Sequence, residues 1–61
     1  MSTPIRMFYN PETNVLTSIQ YRPEFGLYEV LRSDFTAVQL MSMERIKEKR
    51  GTEPWIFLGV I

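Results

Sequence analysis

SDFTAVQLMSMERIKEKRG, residues 33–51, is where strand-forming sequence gives way to a helical pattern. Ser33 and Asp34 each offer a side-chain oxygen that can cap a helix, and no glycine or proline interrupts the chain until Gly51. Gly51 stands where a helix places its C′ glycine. The pattern predicts one helix over 35–50. Its charges agree with that direction, because Asp34 suits the positive end of the helix dipole and Arg45, Lys47, Lys49 and Arg50 suit the negative end.

At 100° per residue the apolar members of this stretch, Phe35, Ala37, Val38, Leu40, Met41, Met43 and Ile46, spread around the whole helical wheel. Phe35, Val38, Met41 and Ile46 make one stripe able to lie on a sheet. Ala37, Leu40 and Met43, with Lys47 one turn further on, make a second stripe. That second stripe reads either as core, if the helix sinks deeply, or as an intermolecular surface, a role that flexible and polarizable methionine suits. Ala37, Leu40, Met43 and Lys47 are therefore the candidate partner-binding residues.

Toward the amino terminus, IRMFY (residues 5–9) and VLTSIQY (residues 15–21) read as two strands. Between them Asn10-Pro11-Glu12-Thr13-Asn14 is a hairpin loop: Asn10 can fold its side chain onto the backbone, Pro11 presets a turn, and Asn14 tolerates a left-handed conformation. Along the second strand Val15, Thr17, Ile19 and Tyr21 share one face, while Leu16, Ser18 and Gln20 share the other, wetter one. Arg22-Pro23-Glu24-Phe25-Gly26 breaks the pattern, and a third strand follows over 27–32.

Beyond the helix, Thr52-Glu53-Pro54 resets the chain. WIFLGVI, residues 55–61, is then apolar everywhere except at Gly59. Trp55, Phe57 and Ile61 are expected on one face, and Ile56, Leu58 and Val60 on the other. A strand apolar on both faces is expected in the middle of a sheet. The fold class is α+β, a small antiparallel sheet of three to four strands in the order β-β-β-α-β with one helix packed on one face. Residues 1–61 form a single domain without internal repeats.

A chain of 61 residues buries only about 60% of the surface its unfolded form exposes. Its stability is then on the order of 3–9 kcal/mol. Without cysteine or histidine it can build no disulfide, zinc finger or imidazole relay. Met1-Ser2-Thr3-Pro4 does not read as a signal peptide, no apolar run approaches the length of a membrane span, and the opening methionine reads as the start of a complete small reading frame. A cytoplasmic location is expected, with no membrane partner.

Seven basic and seven acidic side chains cancel, so no overall field draws the chain to nucleic acid. Glu44 and Glu48 interleave with the basic helix end, which reads as a solvated surface. Ser2, Ser18, Ser33 and Ser42 have no histidine to activate them, and no glycine-rich phosphate loop or metal-ligand spacing occurs. No catalytic residue, metal site or cofactor is expected. What remains is a non-enzymatic protein-interaction module, a small inhibitor or adaptor that binds a larger protein and can self-associate as a homodimer. Its size and composition are of the kind found among bacteriophage accessory proteins that bind host enzymes. The alternative is a small nucleic-acid-binding protein using Tyr9, Tyr21 and Tyr28, with Arg6, Arg22 and Arg32 nearby and the basic helix end.

Overall fold

The computed structural model describes residues 3–61; Met1 and Ser2, read above as no part of a signal peptide, lie outside them. The chain runs β1 (Ile5–Asn10), β2 (Val15–Arg22), β3 (Leu27–Arg32), β4 (Gln39–Met41), α1 (Met43–Thr52) and β5 (Ile56–Val60). These strands form one sheet in the order β4-β3-β2-β1-β5, with every neighbouring pair antiparallel. The small α+β architecture is as expected. It holds five strands rather than three or four, in the order β-β-β-β-α-β.

The β1–β2 hairpin is built as its loop residues require. The Asn10 side-chain oxygen accepts from the backbone N–H groups of Glu12 at 3.0 Å and Thr13 at 3.3 Å, and Asn14 takes φ 60°. Its N–H closes the turn on the Asn10 carbonyl at 2.8 Å. The β2–β3 turn closes where Gly26, at φ 65°, donates to the Arg22 carbonyl at 3.0 Å.

The helix is shorter than the sequence predicts, starting at Met43 instead of residue 35. Ser33 and Asp34 are occupied elsewhere. Ser33 joins β2, its N–H donating to the Leu16 carbonyl at 2.9 Å and its Oγ accepting the Leu16 N–H at 3.0 Å. The Asp34 carboxylate accepts hydrogen bonds from Arg32 Nε at 2.9 Å and Nη2 at 2.7 Å. Ser42 is the N-cap actually used, its Oγ accepting the Arg45 N–H at 3.3 Å. Gly51 lies inside α1 and not at C′; the helix ends at Glu53, whose N–H donates to the Lys49 carbonyl at 2.8 Å.

The final strand also departs from expectation, for β5 pairs with β1 alone and forms an edge of the sheet. The meander β1 to β4 pairs in chain order, which leaves the outer side of β1 for β5. Because β4 and β5 run in the same direction at opposite edges, their link must cross over the sheet, which is the task of α1. Its ten residues span about 15 Å. The four inter-strand steps it crosses amount to about 19 Å.

The helix covers one face of the sheet. Phe8, Ile19 and Val30 meet Ile46 there, with Tyr28, Met41 and Trp55 packed around them. Val30, 1% exposed, is the most deeply buried side chain, and Ile46 is the only buried residue of α1. The core is one layer thick. Phe8 holds it at the β5 side, its ring 5.3 Å from that of Trp55 and 5.5 Å from that of Phe57.

Candidate interaction surface

The alternation of β2 sorts the sheet into two faces. Val15, Thr17 and Ile19 are buried on the helix side, so Leu16, Ser18 and Gln20 point the other way. The register extends that second face across the sheet in three rows: Leu40, Glu29, Gln20 and Ile5; Leu31, Ser18 and Met7; Leu16, Tyr9 and Ile56. No helix or loop of the described residues is packed on this face as a second layer. Leu16, Leu31, Leu40, Ile56 and Leu58 are 42 to 55% exposed there.

The charged groups of this face, Arg22 and Glu29, lie at the end away from Leu16. Gln20 donates to the Thr3 carbonyl at 3.1 Å, while Arg22 sits between Glu24 at 3.0 Å and Glu29 at 3.4 Å. The hydrogen bond that Arg22 donates to Glu24 and the charges of the Glu24 and Glu29 carboxylates raise the Arg22 pKa above its ordinary value. Arginine is charged at any working pH, so this fixes position and not protonation. Apolar side chains gather toward β1 and β5, where Met7, Leu16, Leu58 and Ile61 line a shallow groove.

That groove depends on an irregularity in β5. The β1–β5 register shifts between Met7 and Phe8, leaving Leu58 as an extra residue, and Gly59 takes φ 143°, a conformation that L side chains rarely adopt. The bulge breaks the simple alternation expected for residues 55–61. Ile61 therefore sits with Leu58, exchanging backbone bonds with Ile5 at 2.8 and 3.3 Å.

The four candidate partner-binding residues do not form a helical stripe. Ala37 lies exposed in the segment before β4, Leu40 on β4, Met43 at the first position of α1 and Lys47 one turn later. Leu40 opposes Glu29 and belongs to the open face, while its neighbour Met41 turns to the core. Met43 and Lys47 stand on the other side of the sheet. The stripe fails because Ala37 lies in a bend and Leu40 in a strand, where helical spacing does not hold. Leu16 and Leu31, which sequence reasoning did not select, belong to the open face; the alternation of β2 carried the signal for Leu16.

Met43 and Lys47 instead border a cleft of about 330 Å³ between α1 and the sheet, with Phe8 and Tyr28 at its floor and Arg6 and Arg50 at its rim. The Arg50 guanidinium lies 5.8 Å from the centre of the Phe8 ring. No carboxylate lines this cleft, and among the described residues Arg6, Lys47 and Arg50 form no ion pair. Tyr21 and Tyr28 pack against each other with ring centres 5.0 Å apart and planes inclined by 59°, an ordinary cross-strand pair. The described residues contain no cluster of three or more groups able to hold a metal ion, and no helix long and apolar enough to cross a membrane.

Fold and surface together define a five-stranded antiparallel sheet with a helix across one face and the other face open. Comparison with protein-family models, with curated proteins and with solved structures finds no match in any of the three.

Proposed function

We propose that this chain is a non-enzymatic protein-interaction module, a small cytoplasmic inhibitor or adaptor that buries the open face of its sheet on a larger protein. The observation that supports this most is the absence of a second layer over Leu16, Leu31, Leu40, Ile56 and Leu58 among the described residues. Contiguous apolar surface left in water marks interaction sites. The test is affinity capture from the source cell with the native chain and with a Leu16→Lys, Leu31→Lys variant of unchanged circular dichroism. The reading expects a protein captured by the native chain and lost with the variant. The same proteins retained by both, or none captured by either, would overturn it.

A second reading, nucleic-acid binding, draws support from the cleft, where Arg6, Lys47 and Arg50 surround Phe8 and Tyr28 without a carboxylate. Phosphate contacts make affinity fall steeply with salt, whereas an apolar interface is much less sensitive. Oligonucleotide binding that collapses on adding salt, and on changing Arg6, Lys47 and Arg50 to glutamine, would place this reading first.

A further inference from the structure

We infer that the open edge of β5 pairs with β5 of a second copy of this chain, antiparallel about a two-fold axis, to give a continuous ten-stranded sheet. The argument begins with backbone. Ile5 and Ile61 exchange both of their hydrogen bonds, and antiparallel ladders alternate bonded with non-bonded pairs. Val60, opposite Arg6, therefore directs its own N–H and C=O away from β1, toward the edge. No strand of the described residues lies there.

The side chains of β5 fit the middle of a sheet better than its margin. Ile56, Phe57, Leu58 and Val60 are all half-exposed, on both faces. Edge strands in natural proteins are blunted with lysine, proline or inward-pointing charge; β5 has none of these, and its bulge is its one protective feature. The apolar pattern that reads as a central strand in the sequence becomes central once a second β5 lies alongside.

The occupant follows from symmetry and charge. An uncharged strand is self-complementary, with no like charges brought together. Pairing β5 with β4 of another copy would match five residues to three, and as a head-to-tail contact it would propagate without closing. The β5–β5 pair closes at two. Stable interfaces bury roughly 800 Å² per partner, nearly a fifth of the 4460 Å² this chain exposes. One edge strand supplies less, so the dimer belongs in the micromolar range. In this arrangement both helices lie on the same side and both open faces on the other.

This inference rests on the edge of the sheet and stands apart from the proposal for its open face. The test is sedimentation equilibrium by analytical ultracentrifugation of the full chain from about ten micromolar to one millimolar, combined with amide hydrogen exchange. The expected result is a monomer–dimer equilibrium in which the Val60 N–H becomes protected as the dimer fills. Val60→Lys should weaken the dimer at least tenfold while leaving the unfolding midpoint unchanged at high dilution, where both chains are monomers. A monomer at one millimolar, or a dimer in which the Val60 N–H exchanges as freely as in the monomer, would overturn the inference. The latter result would mean that the copies dock through another surface. Failure of the open-face proposal would appear in the capture experiment and not in the mass of the native chain, so the two can fall separately.

Discussion

On the helix side of β2, Val15, Thr17 and Ile19 are all buried; one residue along, on the opposite side, Leu16 is 42% exposed and Ser18 and Gln20 are half-buried. The same strand and the same backbone ladder thus carry two different environments, because α1 crosses only one side. Apolar residues on the covered face contribute to folding. Those on the open face are free to contribute to binding, since removing them costs the isolated chain little. A mutation's effect on stability should therefore depend on the face it strikes more than on the residue it removes.

The hardest blow to that contrast is Phe8→Ala. Phe8 sits in the cluster with Ile19, Val30 and Ile46 and also supports Trp55 and Phe57. Emptying such a site costs about 3–5 kcal/mol, against roughly 3–9 kcal/mol available to a domain of this length. Thermal unfolding followed by circular dichroism should show the variant largely unfolded at 37 °C.

Ser42→Ala sharpens the comparison at an intermediate scale. Losing the Oγ that accepts the Arg45 N–H costs about 1 kcal/mol. Urea unfolding should report a lower midpoint with an unchanged slope. The smallest effect is expected on the open face, where Leu31→Gln should shift stability by no more than about 0.5 kcal/mol. A loss of 2 kcal/mol or more there would mean that the chain already buries this face in solution, and the contrast between faces would fail.

The parts of the fold legible in the sequence are those set by neighbours along the chain. The bounds of β3, the start of β2, the Asn10 side-chain turn and the left-handed Asn14 all follow from local chemistry, while β2 runs one residue further than its pattern, to Arg22. The start of α1 does not, because the two side chains that read as its cap are engaged elsewhere. Ser33 is taken by Leu16, seventeen residues away, and Asp34 is taken by Arg32; the cap falls to Ser42. With 33–38 in turns and bends and 39–41 in a strand rather than a helix, Leu40 and Met43 fall on opposite sides of the sheet, and they no longer form one stripe. Surplus apolar surface was legible; its location was not, since that depends on which face α1 crosses.

The position of β5 also sets the order in which the molecule can assemble. Strands β1 to β4 meet their neighbours across short connections, whereas β5 meets β1 across nearly the whole chain, Ile5 bonding to Ile61. Contacts so distant in sequence carry a larger loop-closure cost and form late. During synthesis the β1 edge therefore waits, unpaired, until the last strand leaves the ribosome. For that interval β1 is the margin most open to mispairing, and the arrival of β5 transfers the exposed edge from β1 to itself.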